Sequence, residues 1–258
     1  RTIEYKYPPK LMLIRLKKII KKAINILPIK KSKLRFIRKF ELEKWNKELF
    51  LYHGSLLKNE LQYKDERFVG LPLSTRNHYR EIPCDLNKRL PLPNCCADAF
   101  QSQDVLEHLE PENIINCLNE IYRVLKPKGF FRLSLPDYNS PLLKKRSIYN
   151  YKGEILGDVA MGAIALTKGF DSEVYCFNNC PPGDAHLWFP TYELVNKYIL
   201  ESNFANAFSY EWIHANLKNG KTILKNIPKN NTFKVERCPP NDMRANGLPV
   251  SLIIDLVK

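Results

Sequence analysis

With 258 residues, 44% of them apolar and 11% aromatic, the chain can bury a large core, which excludes a disordered or low-complexity protein. Its formal charge of +14 invites a nucleic-acid reading, yet twelve Lys or Arg residues and no acid fall between positions 10 and 39. Removing that +12 leaves the rest of the chain at about +2, which argues against a basic nucleic-acid groove spread over the fold.

In chain order, Leu11, Ile14, Leu16, Ile19, Ile20 and Ala23 recur at three- and four-residue steps, with Lys17, Lys18, Lys21 and Lys22 largely opposite. Pro28 ends or kinks this helix. Residues 1–47 therefore read as a basic amphipathic arm. Such an arm suits contact with an anionic membrane surface or packing on a partner subunit or its own domain. No run of about eighteen uncharged apolar residues exists, so nothing reads as membrane-spanning.

From residue 48 to 258, strand and helix patterns alternate, which predicts an α/β domain with a mostly parallel sheet and helices on both faces. Strands are expected at 49–52, 67–73 and 97–101, the last running into a helix that contains 105–109. A helix over 114–125 stops at Lys126-Pro-Lys-Gly129, and a strand follows at 130–135. Residues 139–185, rich in Gly, Asn, Pro and Tyr, read as an insertion over the site. Thr191 caps a helix through residue 200. Strands at 207–213 and 251–257 flank a linker that reads as loop, the last strand running antiparallel. Seven cysteines without CxxC spacing read as reduced, packed thiols, which favours a reducing cytosol. The Cys176/Cys180 pair has no metal-site pattern with Cys238 or His186, so no metal is assigned.

A nucleotide-type cofactor in an open α/β sheet binds outside the carboxyl ends of the strands, where the strand order reverses. The first turn that could serve it is Leu51-Tyr-His-Gly-Ser55, with the single glycine Gly54. Ile82-Pro-Cys-Asp-Leu86, Ala97-Asp-Ala-Phe100, Val105-Leu-Glu-His-Leu109, Glu120-Ile-Tyr-Arg-Val-Leu-Lys-Pro-Lys-Gly129 and Arg132-Leu-Ser-Leu-Pro-Asp137 follow. In this order the series resembles the class I, Rossmann-like S-adenosylmethionine-dependent methyltransferases, in particular the compact type 11-like branch common in bacterial glycan and small-molecule modification. The resemblance covers residues 48–137 and returns at Gly183-Asp-Ala-His-Leu-Trp188 and Gly247-Leu-Pro-Val-Ser-Leu252.

What the resemblance implies is a cofactor, S-adenosylmethionine, and a set of roles. His53, Gly54 and Ser55 form the first turn against its methionine part. Asp85 and Leu86 match the segment that meets the adenine amine. Gln101 and Ser102 line the methionine side after the fourth family strand. Asp137 and Tyr138 end the fifth and face the acceptor, and His186 resembles a histidine that approaches it. Catalysis at an oxygen acceptor needs a base; His186 and Asp137 come first, His108 and Asp184 second. Arg244 pairs with Asp242 or with an anionic acceptor group. The turn has fewer glycines than the family, and Leu71 or Pro72 stands where the family places a ribose-binding acid. Losing that charge-assisted hydrogen bond costs about 1.5–3 kcal/mol of affinity.

The expected function is methyl transfer to a small molecule, a sugar or a phosphorylated or nucleotide-linked metabolite, at oxygen, in the cytoplasm or at the inner face of a membrane. Arg132, Arg146, Arg244 and Lys144 would suit an anionic acceptor. A non-catalytic subunit supporting a partner enzyme is the alternative, and a nucleic-acid methyltransferase is a third reading that the near-neutral remainder disfavours.

Overall fold

The structure, a computed structural model, describes residues 48–258 except 75–79, 162, 166–173, 177–184, 208, 228–231 and 240, and not the side chains of 163–165, 174–176 and 209. The basic arm expected at 1–47 lies outside the described residues.

The domain opens on β1 (Phe50–His53), a one-turn helix α1 (Leu61–Lys64) and β2 (Phe68–Leu71). Next come β3 (Ala97–Gln103), α2 (Ile114–Val124) and β4 (Leu125–Pro136). The segment read as an insertion holds a second one-turn helix, α3 (Pro141–Lys144), and four short strands: β5 (Ser147–Tyr149), β6 (Ile155–Asp158), β7 (Ala163–Ala165) and β8 (Val174–Cys176). The chain ends with α4 (Tyr192–Glu201), β9 (Ser209–Asn216), β10 (Thr222–Leu224) and β11 (Ser251–Val257).

Among the described residues the main sheet has seven strands in the order β10-β9-β11-β4-β3-β1-β2. β2, β1, β3 and β4 are mutually parallel, and β11 runs antiparallel to both β4 and β9. The mostly parallel sheet with an antiparallel last strand is thus borne out. An isolated parallel bridge of Glu81 to Gly70 adds one further rung beyond β2.

Alternation along the strands sorts the core into two layers. On one face Phe100 meets Phe131, which stacks on Phe204 at 5.5 Å, and Phe204 meets Tyr122 of α2. α2 covers this side because Ile114, Cys117, Leu118, Ile121 and Val124 recur on one stripe and are all buried. On the other face Phe50, Phe68 and Phe130 close around Phe233, with ring centroids 5.0, 5.6 and 5.1 Å from it. Phe233 comes from the linker before β11. Arg132 Nη1 donates to its carbonyl (2.8 Å), and Gln101 Nε2 donates to the carbonyl of Lys234 (2.9 Å).

Four sequence expectations change. The helix expected through 105–109 is a single 3-10 turn, Leu106–His108. Asp104 enters it at φ +50°, and Pro111 holds Glu110 extended, so a helix cannot run through. β3 gains two residues instead. The insertion holds an antiparallel sheet of its own, in the order β5-β6-β7-β8, whose strands are too short to show a period. The linker expected to be loop contains β10, which pairs with β9 as a hairpin. Thr191 behaves as read: its Oγ1 accepts from the Leu194 N–H at 3.3 Å.

Candidate active site

The chain leaves β1 toward β2 on one side and returns to β3 on the other, so the topological switch lies between β1 and β3. Of the residues read for the cofactor, His53 ends β1, Gly54 and Ser55 follow it, and Gln101 and Ser102 lie in β3, the strands that flank this switch. Gly54 follows β1 at φ +108°, a backbone state that L side chains rarely adopt, and its N–H reaches the Leu71 carbonyl at 3.3 Å. A Cβ on Gly70 would sit 2.9 Å from the Gly54 carbonyl oxygen and 3.1 Å from a Leu56 side-chain carbon, so glycine in β2 is what lets the turn fold down. Glu81, which the sequence reading passed over, holds the far side of this turn: its Oε1 accepts from the Leu56 N–H at 3.0 Å.

His53 stands where glycine-rich turns have no side chain. Its ring is fully buried, edge-on to Phe100 at 4.5 Å, with Nδ1 2.9 Å from Ser102 Oγ. Nε2 has no hydrogen-bond partner among the described residues. Burial pushes this imidazole down to about 3, so it is neutral. His53 and Ser102 therefore tie the ends of β1 and β3 together. Gln101 points to the opposite face, where it accepts from Gln62 Nε2 at 2.9 Å besides donating to Lys234. Asp85 lies at the rim with Lys88 at 2.7 Å, which with the Asn87 N–H holds its carboxyl below the ordinary range. Leu86 beside it is half-buried.

The other half of the site is built from side chains. Asp137, at the end of β4, is fully buried and accepts from the Asn216 N–H (2.6 Å), Asn216 Nδ2 (2.8 Å) and the Asn139 N–H (2.9 Å). Burial pushes it up to about 6 against those three donors. The two bonds from Asn216 fasten the end of β4 to β9, and the one from Asn139 closes the turn after it. Tyr138 is buried too. Its hydroxyl donates to Asp158 Oδ2 at 2.8 Å and lies 2.6 Å from His186 Nδ1. Arg146 grips Asp158 in turn, at 2.5 and 3.1 Å. Burial raises the Asp158 carboxyl, but the hydrogen bonds from Arg146, the Ala160 N–H and Tyr138 outweigh it, and the net direction is down.

This four-residue chain fixes His186, whose imidazole is pushed down to about 3 by burial and then by the neighbouring His108. The two rings meet edge-to-face at 5.0 Å. His108 Nδ1 is 3.0 Å from the Ala185 carbonyl, and Trp188 Nε1 donates to the Leu106 carbonyl at 2.8 Å, so the 185–188 segment is clamped onto the 3-10 turn. Glu107, between them, is 1% exposed, and burial, with Asp104 nearby, holds its carboxyl well above the usual range.

The structure thus brings His186, His108 and Tyr138 together around Glu107 and Asp158, neither of which the sequence reading had chosen. Glu107 was legible in principle, as a charge inside Leu106-Glu-His-Leu109 whose flanking leucines had to be buried. Asp158 carried no such signal, since its neighbours in sequence belong to a sheet without a visible period. Three of the four basic groups expected to meet an anionic acceptor have carboxylate partners: Arg132 with Asp255 (2.7 Å), Arg146 with Asp158 (2.5 Å) and Arg244 with Asp242 (2.6 Å).

Residues 57–133, from the turn after β1 to the middle of β4, match the methyltransferase domain family. No curated protein matches the chain. Solved structures are similar at low identity. A SAM-dependent methyltransferase from Archaeoglobus fulgidus is 16% identical with a TM-score of 0.48, over 88% of this chain and 92% of that one. A possible histamine N-methyltransferase from Thermotoga maritima is 13% identical with a TM-score of 0.47, over 88% and 89%. The Burkholderia thailandensis 1,6-didemethyltoxoflavin-N1-methyltransferase, with its substrate and S-adenosylhomocysteine bound, is 10% identical with a TM-score of 0.43, over 100% and 93%. The match over residues 57–133 and the switch point between β1 and β3, with the Gly54 turn outside it, agree with the Rossmann-like methyltransferase fold expected from the sequence.

Proposed function

We propose that the protein transfers the methyl group of S-adenosylmethionine to a hydroxyl oxygen of a small molecule or sugar, with His186 as the proton acceptor. The observation that carries this is the chain His186–Tyr138–Asp158–Arg146. It occupies Nδ1 of the imidazole and leaves Nε2 as the free acceptor, held by the 3-10 turn that follows β3. In-line methyl transfer asks for little covalent chemistry from the protein; positioning and removal of one proton are the contributions needed. His186 is preferred over Asp137, whose oxygens are engaged by Asn216 and Asn139. His108 packs beside it as a second polar group.

In this reading the Gly54 turn and Ser55 approach the methionine part of the cofactor, and Asp85 accepts from the adenine amine. The pairing of Arg132, Arg146 and Arg244 favours a neutral, hydroxylated acceptor over an anionic one. The test is calorimetric titration with S-adenosylhomocysteine, followed by transfer of labelled methyl from the cofactor to a cell-extract metabolite pool. Cofactor binding with transfer that His186→Gln abolishes supports the proposal. No binding even at millimolar cofactor would instead favour the non-catalytic subunit, the reading that the single-glycine turn with His53 in it supports.

A further inference from the structure

Two imidazoles and a carboxylate meet at the 3-10 turn with their free atoms toward one another. Nε2 of His108 lies 3.8 Å and Nε2 of His186 lies 3.9 Å from Glu107 Oε1. Ligand atoms of the three residues all fall within 4.8 Å of one another. At these lengths no hydrogen bond joins them.

Both rings are oriented through the opposite nitrogen. The Ala185 carbonyl can only accept, so His108 carries its proton on Nδ1 and Nε2 is a bare lone pair. The Tyr138 hydroxyl gives its proton to Asp158, so it accepts from His186 Nδ1, and the second Nε2 is bare as well. Metal-binding histidines are held in this manner, by a carbonyl or a carboxylate relay on the far nitrogen. Glu107 adds an independent sign. It is 1% exposed, and its Oε2 has no hydrogen-bond partner among the described residues. A buried carboxyl with one oxygen unpaired is costly unless it stays protonated or meets a cation.

We propose that Glu107, His108 Nε2 and His186 Nε2 form a binding site for one divalent transition-metal ion of the zinc class. Two imidazole nitrogens with one carboxylate suit Zn²⁺, whereas Mg²⁺ and Ca²⁺ take oxygen shells. Ligand bonds of about 2.0–2.2 Å bring tetrahedral ligand atoms to roughly 3.3 Å apart, so the three groups must draw in by about 0.5–1.5 Å. His108, whose side chain is 22% exposed, is the member with room to move and marks the way in. Three protein ligands leave a fourth position, where the ion would lower the pKa of a coordinated hydroxyl. An ion here would occupy His186 Nε2, so proton acceptance by His186 belongs to the metal-free protein. The site itself does not depend on the methyl-transfer proposal, because coordination can be read without turnover.

The experiment uses the full chain, stripped with chelator and desalted, and titrated separately with Zn²⁺, Co²⁺ and Mg²⁺. Expected are one Zn²⁺ per chain with Kd on the order of 1 μM or tighter, visible Co²⁺ bands without thiolate charge transfer, and no response to Mg²⁺. His108→Gln and Glu107→Gln should each weaken Zn²⁺ binding at least about tenfold with unchanged far-UV circular dichroism. Glu107→Gln replaces a buried acid by its neutral isostere and keeps the test open if His108→Gln misfolds. Absence of Zn²⁺ binding at about 100 μM, equal affinity in both folded variants, or a thiolate-type Co²⁺ spectrum would overturn the assignment.

Discussion

The two halves of the site are built on different principles. At the cofactor half, the decisive features are backbone: a glycine at φ +108°, a second glycine beneath it, and strand ends that the fold places side by side. The acceptor half rests on buried side chains that orient one another across long sequence separations, such as Tyr138 with Asp158 and His186. On the proposed function, backbone recognition would tolerate the loss of individual side chains, and the turn could carry His53 and lack a ribose acid at Pro72. A relay is less tolerant, because His186, Tyr138 and Asp158 are buried and losing one leaves its neighbour unpaired.

That contrast is open to test. The largest effect is expected at the acceptor half: His186→Gln should lower methyl transfer by about 10²-fold or more while cofactor affinity, read by calorimetry, stays within a few fold. A parallel loss of cofactor binding would erase the division between the halves. Asp158→Asn comes next, at about 2 kcal/mol of stability at pH 7 in denaturant unfolding. The folded Asp158 carboxyl is held below its ordinary value, so its contribution is present above the unfolded pKa of about 3.9 and is lost as pH falls through the lower folded pKa. The gap between wild type and variant should therefore narrow steadily below about pH 4; a gap that widened toward acid would mean that the relay is not ionised.

At the cofactor half, Gly54→Ala forces a side chain into a positive-φ turn and should cost about 1–2 kcal/mol, measurable both as stability and as cofactor affinity. The smallest expected effect is Asp85→Ala. It should weaken cofactor binding about tenfold through the lost adenine contact, yet hardly change stability, since the rim pair with Lys88 is exposed. Equal cofactor affinity in this variant would remove Asp85 from the site.

Much of this was legible beforehand. Phe130 to Leu135, Phe68 to Leu71 and the final strand announced themselves because they are buried on both faces and are therefore almost continuously apolar. α2 was legible through one stripe of five buried residues, and the Gly54 turn because a turn at a strand end is a local feature. The sequence alone therefore determined most of the sheet and its main helix, and pointed to the cofactor class. Only the tertiary structure decided the acceptor half, for a physical reason. Glu107, Asp158 and His186 lie far apart along the chain, and no local period or turn signal reports which distant groups burial will force to satisfy one another. The same holds for Arg132 and Arg146: their charge is written in the sequence, but whether it faces an acceptor or a carboxylate is settled by what packs against it.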